Sequence, residues 1–121
     1  TPQEVALLDA VKAIAMMKTV NIPVMGMVEN MSGFICPDCD NRYDIFGSGG
    51  AQKKAAELDV PFLGELPINI GIRRSGDEGL MTRLFDDPIV APRIEQICYR
   101  LVKNLADANT KEPPMPTLSI L

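Results

Sequence analysis

The chain is 121 residues long with 46% hydrophobic, 23% charged and 5% aromatic residues, which suits one folded domain and argues against wholesale disorder. Twelve Lys+Arg against sixteen Asp+Glu give a net charge of -4, and without a basic cluster the chain is a poor general binder of nucleic acid or anionic lipid. It contains no histidine, which excludes His-based acid/base catalysis, Ser-His or Cys-His nucleophile pairs and imidazole metal sites.

Thr1 as N-cap, Pro2 at the first helical position and Glu4 three residues after the cap read as a capping box. Leu7, Leu8, Val11, Ile14, Ala15 and Lys18 follow at helical spacing, so a helix is expected over residues 2–18. The run Ile22-Pro23-Val24-Met25-Gly26-Met27-Val28 lacks polar alternation and suits a strand covered on both faces, as in a parallel sheet. Residues 31–47 are rich in turn formers and read as a loop carrying Cys36 and Cys39. Ser48 to Leu58 reads as a helix with Ala51, Ala55 and Leu58 inward, and Val60 to Leu66 as a second buried strand. Strand, helix and strand in this order make a βαβ unit with a right-handed crossover.

Residues 67–87 read as a Gly-rich, charged loop with a short helix at Leu80–Leu84. Asp87-Pro88 then opens a last helix whose apolar stripe is Val90, Ile94, Ile97, Cys98, Leu101 and Leu105. Residues 1–109 are therefore assigned to the folded unit. Residues 110–121, with Pro113-Pro114-Met115-Pro116, are assigned to a Pro-rich mobile tail. Three helices beside only two strands leave a deficit, since sheets usually have ~4–6 strands. The chain is expected to be part of a larger α/β domain, or to complete itself with another copy.

No apolar run approaches the ~20 residues a membrane helix requires, and no signal-peptide pattern is visible. Three cysteines, two of them close together, make a poor disulfide framework, so the expected setting is a reducing cytoplasm. Asn30-Met31-Ser32 fits the glycosylation pattern but in that setting reads as chance.

Cys36-Pro37-Asp38-Cys39 is the sharpest chemical signal. Cys-x-x-Cys lets two thiolates grip one soft metal or cluster, because the turn between them brings both sulfurs to one side. Four ligands would need a second copy of the chain, each giving Cys36 and Cys39 across a twofold axis. A thioredoxin-like redox pair is the rival, although there the first Cys opens a helix and here Asp40-Asn41-Arg42 continues a loop. Two reduced loop cysteines without a role are the third reading. Cys98, on the apolar stripe, reads as a small core residue.

Gly47-Ser48-Gly49-Gly50 precedes a helix but is followed by Ala51-Gln52, not by the Lys-Ser/Thr of a P-loop. A flexible helix start is the better reading than a phosphate cradle. Glu29-Asn30 sits where the first strand ends, and Pro67-Ile68-Asn69-Ile70 opens at the same rim. Ligands of open α/β sheets collect at that rim, and an Asn amide can both donate to and accept from a purine edge.

With these residues in place the sequence resembles the Mrp/ApbC family of P-loop iron–sulfur cluster carriers, in the deviant Walker-A group that includes MinD. The likeness runs through Thr1-Pro2-Gln3-Glu4, Gly26-Met27-Val28-Glu29-Asn30-Met31-Ser32, Cys36-Pro37-Asp38-Cys39, Ile45-Phe46-Gly47-Ser48-Gly49-Gly50, Leu63-Gly64-Glu65-Leu66-Pro67-Ile68, Arg73 and Gly76-Asp77-Glu78-Gly79. The resemblance implies a partial P-loop NTPase: a Rossmann-like, three-layer α/β fold with a parallel sheet. It also implies a homodimer that carries a bridging [4Fe-4S] cluster, or adventitious zinc, on Cys36 and Cys39. Apo iron–sulfur proteins would receive the cluster under ATP and Mg²⁺ control. Asn30, Pro67, Ile68 and Asn69 would contact adenine, although the family often has an acidic residue where Asn69 stands. The family's Gly-Lys-Gly-Gly-Val-Gly-Lys-Ser/Thr loop is absent and would lie upstream of Thr1. The chain is thus expected to be the C-terminal half of a carrier, unable to hydrolyse ATP alone. A MinD-like nucleotide switch acting through protein contacts is the alternative. The thiolate pair favours the carrier, since a positioning switch needs none.

Overall fold

Gln3 is extended (φ -63°, ψ 139°), and the first helix, α1, begins after it and spans Glu4–Thr19 in the computed structural model, which describes residues 1–111. No side chain caps α1, so the capping box expected from Thr1 does not form. Pro2 is instead buried, its carbonyl drawn close over the backbone at Gly50. Burying the ring there takes the segment before Glu4 out of the helix.

The first strand, β1, is only Met27–Glu29, shorter than the apolar run 22–28. Residues 22–26 approach the sheet without entering the ladder. Gly26 shows why: a Cβ there would stand 2.5 Å from Leu63 Cγ and 2.9 Å from the Pro61 carbonyl oxygen. The chain crosses its neighbour too closely for a side chain, and the ladder begins with Met27 N–H donating to Pro61 O at 2.8 Å.

A two-stranded hairpin of β2 (Phe34–Ile35) and β3 (Arg42–Tyr43) follows, antiparallel, with Ile35 opposite Arg42. Helix α2 spans Gly50–Glu57 and leads into β4, Phe62–Glu65. β1 and β4 pair in parallel, with Val28 opposite Gly64 and Glu29 opposite Glu65. The expected βαβ unit is therefore present, and the fold is α/β with a parallel sheet. Leu7 and Ile14 of α1, Met27, Ala51 and Ala55 of α2, and Val60 form the core, with Leu58 and Phe62 packed against it.

Residues 67–87 hold more helix than expected. Besides the 3-10 turn at Met81–Asp86, close to the anticipated Leu80–Leu84, a helix α3 spans Ile70–Glu78. Helix α4 spans Ala91–Lys111 and packs on β4, where Ile97 lies over Gly64. Its Arg100 Nη1 donates to Leu63 O of β4 (3.1 Å) and its Asn104 Nδ2 to Met25 O on the approach to β1 (3.0 Å), so two polar side chains satisfy backbone carbonyls beneath the helix. The anticipated stripe is buried only at its start. Val90 is fully buried, Ile94 and Ile97 are half-buried, and Leu101 and Leu105 are exposed. Cys98 is exposed as well, which corrects its reading as a core residue: the covered face of α4 runs through Ile97, Arg100 and Asn104, and Cys98 lies beside it.

α4 continues through Thr110 and Lys111, two residues beyond the expected boundary at 109; the rest of the expected tail, residues 112–121, lies outside the described residues. Among the described residues no helix is long and apolar enough to cross a membrane.

Candidate functional site

The two short strands β2 and β3 lift residues 36–41 into an exposed turn. Cys36 N–H donates to Asn41 O at 3.0 Å, and Asp40 N–H donates back to Cys36 O at 2.9 Å. Asp40, with φ +57°, reverses the chain between these bonds, a conformation Asp tolerates better than bulky residues do. Both thiols are free; Cys39 is exposed and Cys36 half-buried.

The Cys36 thiol is held below its ordinary value, first by the N–H of Asp38, then by the N–H of Cys39 and by the Cys39 thiol. Burial and the negative charge of Asp40 oppose these effects but do not cancel them. The turn therefore aims backbone donors at one sulfur and brings the second sulfur to it, an arrangement that favours a thiolate. Among the described residues no group of three or more Cys, Asp or Glu side chains gathers to hold a metal, so this chain offers the pair alone.

At the carboxyl ends of β1 and β4 a second site takes shape. Asn30, Pro67, Ile68 and Asn69 line one cavity of about 390 Å³, together with Met31 and Arg73. That volume falls within the ~300–1,000 Å³ of small-molecule sites, and the lining is mainly apolar with a few polar groups. Met31 adopts φ +58°, and Asn30 Oδ1 accepts its N–H at 2.9 Å, fixing the loop that presents the Asn30 amide.

Asn69 is placed at the same cavity, but its amide is engaged elsewhere. Its Oδ1 accepts Ile72 N–H (3.2 Å) as the N-cap of α3, and its Nδ2 donates to Asp87 Oδ2 (3.1 Å). The other Asp87 oxygen accepts the N–H groups of Ile89 (2.8 Å) and Val90 (3.0 Å) at the approach to α4. Asn69 and Asp87 thus tie the start of α3 to the start of α4.

The glycine loop before α2 is a poor phosphate cradle, because a buried carboxylate already takes two of its donors. Glu29, 1% exposed, places Oε1 2.8 Å from Gly49 N and Oε2 2.6 Å from Ala51 N. A carboxylate built into the chain occupies the helix N-terminus that an external anion would need. Glu29 had appeared in the sequence only as a neighbour of Asn30; its role depends on β1 ending beneath α2, which no local pattern reveals.

A polar network joins the two sites. Arg42 of β3 donates through Nη1 to Glu65 Oε1 (3.2 Å) and through Nε to Asp44 Oδ1 (2.9 Å). Its Nη2 reaches the Ser32 carbonyl and hydroxyl, both at 3.4 Å. Ser32 Oγ, nearly buried, donates to Glu65 Oε2 at 2.8 Å. Burial acts to raise Glu65, but the bonds from Ser32 and Arg42 prevail and hold its carboxyl below the usual range. Asp44 is lowered mainly by its bond from Arg42.

With this geometry in place, comparison with known proteins gives concordant results. A ParA family model, described as NUBPL iron-transfer P-loop NTPase, matches residues 1–105. The chain is similar to an iron-sulfur cluster carrier protein of Methanocaldococcus jannaschii: 51% identical over 105 residues, covering 87% of this chain and 36% of that protein. It is similar to one of Synechocystis, with 52% identity covering 88% of this chain and 28% of that protein. The iron-sulfur cluster transfer protein NUBPL of Dictyostelium discoideum is 40% identical, over 93% of this chain and 35% of its own length. Among solved structures, a nucleotide-binding protein of Archaeoglobus fulgidus, in complex with ADP and with cobalt found, aligns with TM-score 0.60 and 35% identity. That alignment covers 74% of this chain and 36% of the other. The chain thus spans roughly a third of the length of these proteins.

Proposed function

This chain belongs to the ParA family of NUBPL-type iron-transfer P-loop NTPases, and from that premise we propose that it carries an iron–sulfur cluster on Cys36 and Cys39 and hands it to apo-proteins. The observation that carries this reading is the turn at 36–41, where two free thiols meet on an exposed hairpin tip under backbone N–H groups. Two thiolates are half of the set a tetrahedral metal or a [4Fe-4S] cluster takes. A second copy supplies the other half, and the cluster bridges a homodimer. Handover is ligand exchange, in which thiolates of the recipient replace those of Cys36 and Cys39 on iron without net oxidation. A reducing cytoplasm keeps the pair available. A redox role is less well supported, since Cys36 lies in a hairpin turn and not at the helix start where thioredoxin-like pairs are activated.

Nucleotide enters at the second site. Adenine rests on Pro67 and Ile68 with the Asn30 amide at its edge, while Asn69 shapes the cavity by holding α3 in place. The residues fit a purine: an apolar floor, one amide with a restrained loop, and no acidic group in the lining. The phosphates and Mg²⁺ need a P-loop Lys and Ser/Thr that this sequence does not contain, so ATP is not hydrolysed by this chain alone.

Metal analysis tests the ligand assignment. After anaerobic loading with iron and sulfide, or with Zn²⁺ alone, wild type should retain metal in proportion to its Cys36/Cys39 pairs, and Cys36→Ser and Cys39→Ser should lose it. Equal metal content in all three would reject the assignment.

A further inference from the structure

Among the described residues β3 pairs with β2 and with no other strand, so the dithiol turn is carried on a narrow two-stranded arm. Its backbone link to the body is through β2: Ile68 N–H donates to Gly33 O at 2.7 Å, and Phe34 bridges to Ile68. The far strand is held by a side chain. Arg42 reaches Glu65, Asp44 and Ser32 at once, and these acceptors lie on three different segments. Ser32 follows the Asn30-Met31 loop of the adenine cavity, and Glu65 ends β4 two residues before Pro67. Asp44 in turn accepts from Ser48 Oγ (3.2 Å), on the approach to α2.

The backbone is shaped to admit this arginine. A Cβ on Gly33 (φ +74°) would stand 2.8 Å from Arg42 Nε and 2.9 Å from Asp44 Oδ1, so the ion pair lies directly on bare main chain. Only a planar guanidinium presents donors in the several directions needed here; the ammonium of lysine is a point charge on a flexible stem.

We infer that Arg42 is a positioning residue that couples the adenine cavity to the cysteine turn, so that occupancy of one shifts the other. The inference rests on the nucleotide reading above. When a purine settles against Asn30 and Ile68, the segments 30–32 and 65–68 move together, and Arg42, bonded to Ser32 and Glu65, carries the displacement into β3 and the turn ending at Asn41. Without the guanidinium, β3 follows only through its ladder with β2.

Amide NMR of the full chain titrated with ADP tests this, with Arg42→Met, Arg42→Lys and Glu65→Gln as variants. In wild type, ADP should shift Asn30, Met31 and Ile68 and also Cys36, Cys39 and Asn41. In Arg42→Met the cavity shifts should persist and the turn shifts should be lost. Arg42→Lys should restore them only in part, and Glu65→Gln, which keeps the arginine and should fold even if Arg42→Met does not, should weaken them. Turn shifts that are absent in wild type while the cavity responds, or that survive unchanged in Arg42→Met or, should that variant not fold, in Glu65→Gln, would overturn the coupling and leave nucleotide binding standing. A cavity that does not respond to ADP in wild type would overturn the nucleotide reading, and the coupling with it.

Discussion

The carboxylate of Glu29, at the end of β1, accepts the Ala51 N–H at 2.6 Å inside the first turn of α2. With its bond from Gly49 N–H it joins the strand that leads into Asn30 to the helix that follows the glycine loop. Glu29→Gln should lower stability by about 1–3 kcal/mol, because an amide offers one acceptor where the carboxylate offers two and sets its NH₂ against an N–H. The urea midpoint reports the loss. An unchanged midpoint would mean that the cap is dispensable.

The crossing at Gly26 gives a second expectation. Gly26→Ala places a methyl 2.5 Å from Leu63 Cγ and 2.9 Å from a backbone oxygen. The side chain can turn away, but the carbonyl cannot, so β1 and β4 must separate. A cost of about 1–3 kcal/mol follows, typical of an overpacked site, read from the same urea transition.

The two asparagines of the cavity should behave differently. Asn69→Ala removes the cap of α3 and the bond to Asp87, and should cost about 1 kcal/mol of stability. Asn30→Ala touches an exposed loop residue and should leave the urea midpoint nearly unchanged while weakening ADP binding by titration. If Asn69→Ala instead abolished ADP binding at unchanged stability, the assignment of Asn69 as a scaffold residue would be wrong.

The Arg42 network carries a pH signature. Glu65 and Asp44 titrate below their ordinary range in the folded chain, so each stabilises the fold fully above the unfolded value of about 4 and loses that contribution as pH falls through the lowered folded value. Arg42→Met removes the partner both carboxylates share. The difference in urea midpoint between wild type and Arg42→Met should therefore be largest near neutral pH and shrink as pH falls below about 4. A difference independent of pH would separate the network from these two carboxylates.

What the sequence made legible follows from where its signals are local. The runs before Val28 and around Leu63, with Ala51 and Ala55 between them, disclose the βαβ unit because buried parallel strands need continuous apolar stretches. Cys36 and Cys39 are legible because four residues hold the whole motif. Helix α3 was hidden: Ile70–Glu78 contains two glycines and no apolar stripe, and it stands on the Asn69 cap and the left-handed Gly79 at its end. β2 and β3 are two residues each, too short for any period to register. Cys98 was misjudged because spacing reveals an apolar face without showing whether anything covers it. Glu29, Arg42 and the bond from Asn69 to Asp87 escaped since each joins partners 18 to 23 residues apart, and such pairings exist only in the folded chain.

In the proposed function two copies of this chain share one cluster through Cys36 and Cys39. Native mass spectrometry after anaerobic reconstitution with iron and sulfide measures it most directly. The expected species holds two chains plus one [4Fe-4S] unit and is lost in Cys36→Ser and in Cys39→Ser. A cluster held by a single chain, or a dimer that keeps its cluster when either cysteine is replaced, would contradict it.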